Sequence, residues 1–329
     1  MTLLDKTIIL STLFENYKGK SYSTFLIALK EANKNITDQL LKTNGKFTTS
    51  RLKAIKSLID KEIGNSYGGL FADLKEEIPE VANLTYGFIA GVTKPQLNKT
   101  FLDSLIANNR EIQKGYTFEK LFKTDSVNHA KALKILINNG NDAGYPIDKI
   151  VSDLNIKSNK LSRAAVRTSV NTTISQTLGD SKIPVYEELQ DLGVIKGYVY
   201  TAVLDLSTTD YCIKHDGLQY KTIQEINAAL YSHFNCRSIE VALTGNKIED
   251  ARASQFGQVN GETYETWFKK LPEDIQKSTL TGRQYKAFLD GDFRVDSLVD
   301  VSKTQSLNSI KKVTDKIVKK VPVGNTFII

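Results

Sequence analysis

The chain has 329 residues, enough for about two domains at roughly 150 residues each and for a sizeable core. Forty per cent hydrophobic and 25% charged residues exclude a wholly disordered or collagen-like chain, and no apolar run reaches the roughly 18 to 20 residues of a membrane span. Forty-four Lys and Arg against 37 Asp and Glu leave a net charge of +7 and a pI of 9.0. That balance favours polyanion partners without establishing one.

The apolar opening, residues 7–14, follows Asp5 and Lys6 and lacks a small-residue cleavage site, so it reads as an amphipathic helix and not a secretion signal. Leu52, Ile55, Ile59 and Ile63 recur every three or four residues behind the candidate N-caps Thr49 and Ser50. Leu70, Phe71, Leu74 and Ile78 continue after Gly68-Gly69, where a break or bend is expected. Phe101, Leu102, Leu105 and Ile106 mark a later helix. Leu133, Leu136 and Ile137 mark another, followed by turn signals at Asn138-Asn139-Gly140 and Gly144-Tyr145-Pro146. Residues 1–157 thus read as a helical packing domain, and its one histidine, His129, suits a surface or helix-face position better than a ligand's.

The texture changes near Ser158. Val166, Val170, Ile174 and Leu178 fall four apart, with Gly179 placed as a helix stop. A short helix is expected after Pro184, from Val185 to Leu192, ending at Gly193. Residues 198–204 (YVYTAVL) predict a strand, and Thr222 with Glu225 forms a capping-box signature for a helix reaching about Leu230 or Tyr231. Residues 237–243 predict a second strand with Ile239, Val241 and Leu243 on one face. Residues 158–245 therefore read as a compact α+β module with a short antiparallel sheet.

Residues 246–329 read as a helical extension, with Tyr264 and the sole Trp, Trp267, three apart, then Leu280, Tyr285 and Phe288. Its tail carries five lysines (Lys311, Lys312, Lys316, Lys319 and Lys320) against one aspartate between residues 311 and 320. These are candidate sequence-independent contacts to double-stranded DNA, and equally a solvated helical face. The expected class is predominantly helical α+β.

Both cysteines and two of the three histidines lie within 25 residues: Cys212, His215, His233 and Cys236. The pattern is Cys-x2-His, 17 residues, then His-x2-Cys. Two such pairs on turns at one end of an antiparallel strand pair suit a tetrahedral zinc, and four protein ligands would make it structural. The same residues also fit a hydrogen-bonded turn cluster, and a Cys212–Cys236 disulfide is disfavoured in a reducing compartment.

The run Asp205-Leu206-Ser207-Thr208-Thr209-Asp210-Tyr211-Cys212, then Asp216-Gly217, then His233-Phe234-Asn235-Cys236-Arg237 resembles the signature of the phage Mu F-like minor head proteins. Upstream Arg167-Thr168, and downstream residues 263–270 (TYETWFKK) with Gln276 and Gly282-Arg283, extend the similarity over about residues 162–299. Thr209 and Ser238 stand where that family often has its first and last cysteines, and Phe234 replaces a proline. His215 would compensate for a lost cysteine. The resemblance implies a low-copy structural protein of a tailed-phage head, with the portal protein and major capsid protein as partners and a place in genome packaging or delivery. Its location would be the capsid interior or portal vicinity, and the host cytoplasm during assembly.

Asp205 is expected to accept backbone N–H bonds in the turn, Gly217 to take a positive φ, and Arg237 to brace the turn or a carboxylate. The contrasting class is a metal-dependent nuclease or toxin-like enzyme, with three ligands on the metal and Asp205 or Asp216 as base. No nucleophile elbow, P-loop or dinucleotide fingerprint appears, and no zinc-finger spacing supports a DNA-binding regulator.

Overall fold

In the computed structural model the described residues are 3–42, 47–91, 97–106, 111–113, 115–203, 208–230, 232–244, 251–254, 257–260, 269–270, 273, 307–308, 311–312 and 315. In chain order, α1 (Leu3–Leu41), α2 (Thr49–Ala90) and the short α3 (Lys99–Ile106) precede a small hairpin of β1 (Glu111–Gln113) and β2 (Tyr116–Thr117). Then come α4 (Phe118–Asp142) and the 45-residue α5 (Ile147–Asp191). The four long helices pack as a bundle in which α1 touches α2 and α5, α4 touches α2 and α5, and α2 also meets α5.

The bundle follows from apolar stripes. Along α2 the buried residues Ile55, Ile59, Ile63, Tyr67, Leu70, Leu74, Ile78 and Val81 recur every three or four positions. Thr48 caps its start by accepting from the Arg51 N–H at 3.3 Å. Gly91, at φ 76°, closes its end by donating to the Gly87 carbonyl. The break expected at Gly68-Gly69 does not occur. Both glycines lie on the exposed face, so their cost of about 1 kcal/mol each is offset by the buried stripe opposite.

Two further expectations fail on α5. Gly179 does not stop it, and Pro184 lies inside it instead of opening a new helix. A helix-interior proline costs about 3 kcal/mol, but Leu178, Val185, Tyr186 and Leu189 around it are all buried, each contributing about 1.5–3 kcal/mol. The boundary expected near Ser158 therefore falls within one continuous helix. The hydrophobic cluster that runs from Leu10 through α5 to Cys212, Cys236 and Leu307 is shared by bundle and sheet, and a separate one gathers Ile78, Leu97, Leu105, Phe118 and Leu121.

His129 is not at the surface. It is 1% exposed and lies in a polar chain that takes one residue from each bundle helix. The Tyr67 hydroxyl meets its Nδ1 at 3.3 Å. Its Nε2 meets Ser158 Oγ at 3.0 Å, and Ser158 donates to Asn33 Oδ1 at 2.7 Å. Because Ser158 uses its own proton on Asn33, Nε2 carries the ring hydrogen and Nδ1 accepts from Tyr67. Burial alone then pushes the His129 pKa down to about 4.

After α5 come β3 (Gly197–Thr201), α6 (Asp210–His215), β4 (Gln219–Tyr220), α7 (Ile223–Leu230) and β5 (Ile239–Leu243). The sheet has the order β4-β3-β5 and is antiparallel throughout, with Tyr198 opposite Ala242 and Tyr200 opposite Glu240. The capping box holds: Glu225 Oε2 accepts from the Thr222 N–H at 3.2 Å, and Thr222 Oγ1 accepts from the Glu225 N–H at 3.2 Å. On β5, Val241 is buried while Ile239 and Leu243 are half-buried. The alternate residue Glu240 is also buried, in an ion pair with Lys182 of α5. Both faces of this small sheet are covered, which simple alternation does not anticipate.

Past residue 250 the first elements are strands, not helices: β6 (Ala251–Ser254) and β7 (Gly257–Asn260) pair antiparallel, and β6 packs on α1. Trp267, Leu280, Tyr285 and Phe288, expected on helices, lie outside the described residues. Among the described residues no helix is long and apolar enough to cross a membrane.

Candidate metal centre

Two turns at one end of the sheet make the site. Thr209 caps α6 by accepting from the Cys212 N–H at 3.4 Å, which fixes Cys212 on the inner side of that helix. The second turn, residues 232–238, leads from α7 into β5. Asn235 gives it a tight reversal at φ 62°, a conformation asparagine tolerates better than most residues. Three contacts hold this turn in place. The Asn235 N–H donates to Thr172 Oγ1 at 2.9 Å, the Asn235 side chain accepts from Asn171, and Phe234 meets Tyr116 edge-on at 5.3 Å.

Cys212 Sγ stands 3.8 Å from Cys236 Sγ and 2.9 Å from His233 Nε2. The three ligand atoms lie within 4.8 Å of one another, a span that one metal ion can bridge. His233 Nδ1 sits 3.0 Å from the Phe234 carbonyl. With Nδ1 donating its hydrogen to that carbonyl, Nε2 faces the sulfurs, where it donates to a Cys212 thiolate or, once deprotonated, ligates a metal. Tyr200 O–H donates to Cys212 Sγ at 3.1 Å and lies 3.7 Å from Cys236 Sγ. Both cysteines are buried.

The pair does not ionise alike. The hydrogen bond from Cys236, then His233, holds the Cys212 thiol well below its usual range. The bond to Cys212 together with burial pushes Cys236 well above it. Burial raises Tyr200 as well, so it stays a neutral donor. The metal-free cluster is therefore one thiolate and one thiol, with His233 Nε2 donating to the thiolate and giving up that proton where a metal takes its place.

His215 is not part of it. Its Nδ1 lies 2.8 Å from the Tyr211 carbonyl, and its ring stacks on Tyr211 at 3.9 Å. That corrects the expected four-ligand set. Among the described residues three protein ligands converge, so the argument from four ligands to a closed structural site no longer applies. Beside them lies a cavity of ≈ 10 Å³ lined by Thr209, Cys212, His233 and Ser238 among others, room for about one water.

The other expected motif residues have distinct places. Asp216 Oδ1 accepts from the Ala202 N–H at 3.0 Å, tying α6 to the end of β3. Gly217 takes φ 82° as expected and donates to the Tyr200 carbonyl at 2.9 Å. Thr208 donates to the Val203 carbonyl. Asn235 and Arg237 line the ≈ 10 Å³ cavity. Asp205 lies outside the described residues, as do Lys316, Lys319 and Lys320, whereas Lys311 and Lys312 are exposed in helical segments. Thr209 and Ser238, at the positions of the family's first and last cysteines, border the cluster, whereas the sequence reading does not single out Tyr200. Only the alternation that pairs Tyr200 with Tyr198 on one strand face could have flagged it.

No protein-family model, curated protein or solved structure matches this chain.

Proposed function

We propose that the chain is a Mu F-like minor head protein: a non-enzymatic, low-copy component of a tailed-phage head that works beside the portal in genome packaging or delivery. The observation that carries this reading is the meeting of the two signature turns. Cys212 and Cys236, 24 residues apart in the chain, stand 3.8 Å apart at the end of an antiparallel strand pair. Thr209 and Ser238, which replace cysteines of the family pattern, border the same small cavity. A long helical body sharing one core with this fastened module suits a rigid assembly part.

Zinc is the ion proposed. Sulfurs bound tetrahedrally at about 2.3 Å stand about 3.8 Å apart, which matches the observed pair. Cys212, His233 and Cys236 would hold it, and it would supply a cross-link between α6 and the turn that leads into β5. The alternative of a metal-dependent nuclease draws on the three-ligand count, which leaves a coordination position for water. The ≈ 10 Å³ cavity beside it admits about one water and no phosphodiester.

The proposed partners are the portal protein and the major capsid protein. Co-expression with the portal protein from the same genome, followed by size-exclusion chromatography, tests the reading. Co-elution at a few copies per portal ring is expected; elution as a separate species counts against it. Plasmid cleavage in the presence of divalent metal, lost in Cys212→Ser, would favour the nuclease.

A further inference from the structure

A groove of ≈ 850 Å³ runs between α1 and α5, and its described lining includes Lys18, Lys160, Arg163, Arg167 and Arg237 but no Asp or Glu. Lys160, Arg163 and Arg167 recur at three and four residues, which places them in a row along one face of α5. None of these three is ion-paired among the described residues. Lys18, 4% exposed, sits at the floor and donates to Ser175 Oγ at 2.8 Å. Arg237 reaches the groove from the turn that carries His233 and Cys236, so the candidate metal centre and the groove share a wall.

Tyr22 projects from α1 into the same space. Burial raises its phenol, and the charges of Arg163 and Arg167, which line the same groove, oppose that rise. Asn159, Asn171 and Asn235 add neutral polar groups along the lining.

We infer that this groove binds the sugar–phosphate backbone of single-stranded nucleic acid without sequence preference, with Tyr22 as a stacking surface for a base. Lys160 to Arg167 spans about 10 Å of helix, and three cations in that length match a polymer that carries a charge on every repeat. An acidic peptide would need a near-continuous run of Asp and Glu to do the same. Duplex DNA is convex and about 20 Å wide, so its phosphates meet ridges and not a floor where a lysine is 4% exposed. A basic channel beside an aromatic ring is the general solution for single strands. This inference does not depend on the capsid reading and places nucleic-acid contact away from the lysine tail.

The test is fluorescence anisotropy of the full chain with labelled oligothymidylate across a salt series. Binding should weaken with salt at a log–log slope no steeper than about −3.5, the limit for five cations on a single strand. Lys160→Gln/Arg163→Gln, two exposed positions on α5, should lower affinity about tenfold and flatten the slope by roughly 1.4. Circular dichroism should show the fold unchanged. Arg163→Glu alone gives a second reading should the double variant lose helix, and it should weaken binding as much. Lys311→Gln/Lys312→Gln should leave affinity unchanged. Binding lost in that tail variant and kept in the groove variants overturns the inference while leaving the capsid reading intact. So do equal competition by duplex DNA or polyglutamate, and an absence of binding at low salt.

Discussion

Cys212 Sγ and Cys236 Sγ stand 3.8 Å apart, and the Tyr200 hydroxyl reaches both. That separation is far longer than the roughly 2.05 Å of a disulfide, and it leaves one thiolate beside one thiol with His233 on the thiolate's other side. The chain brings a soft donor set together without a covalent link.

Removal of these donors should be selective. Cys212→Ser, Cys236→Ser and His233→Ala should each abolish bound metal in elemental analysis of protein purified with zinc. His215→Ala should retain it and lose only about 1 kcal/mol of stability, from its stacking on Tyr211 at 3.9 Å. Metal lost from His215→Ala would return that residue to the ligand set.

The His129 chain makes stability depend on pH. The folded pKa is lowered to about 4 from an unfolded value near 6.5, so between these values the unfolded state binds more protons. Stability should be at its full value above about pH 6.5 and fall as pH drops towards 4, by ~3 kcal/mol at most. Asp125 on the same helix, raised by burial and lowered by its bond from Ser169, acts in the opposite sense in its own titration range. Comparing urea denaturation of the native chain and His129→Gln across this range isolates the imidazole, and the variant should show the shallower pH dependence.

Lys182 and Glu240 join α5 to β5 with side chains only 6% and 2% exposed. Glu240→Gln or Lys182→Met should each cost about 3–5 kcal/mol by stranding the other charge. Lys182→Met/Glu240→Leu should recover most of that loss in the same denaturation assay. A double variant no more stable than either single one would mean the pair itself, and not the stranded charge, carries the energy.

Two glycines of opposite kind give opposite signs. Gly217 sits at φ 82° with open space around an added Cβ, so Gly217→Ala should cost about 1–2 kcal/mol through the backbone alone, and Gly217→Asn less. Gly68 lies in a helix interior, also with open space, so Gly68→Ala should raise stability by about 0.5–1 kcal/mol. Thermal melts of the three variants check both.

Much of the local structure was legible in the chain itself. Residues 198–204 and 237–243 carry β-branched and aromatic residues, and β3 (Gly197–Thr201) and β5 (Ile239–Leu243) overlap them in the expected antiparallel pairing. Thr222 and Glu225 close a capping box because that reciprocity is local. Val170, Ile174 and Leu178 mark a real helical face, all of them buried.

The sequence by itself determined that two turns rich in Cys and His would flank a strand pair, because residue type and spacing act over a few positions. Only the tertiary structure decided which histidine joins the sulfurs. His215 is turned aside by a ring stack and a carbonyl on its own helix, while His233 is brought in by a turn anchored on α5. It also decided that α5 runs on through Gly179 and Pro184, and that α1, α2 and α5 each add one residue to the polar chain around His129 of α4. The reason is one of range: caps and periodicity are set by neighbours in the chain, whereas burial and convergence depend on partners dozens of residues away.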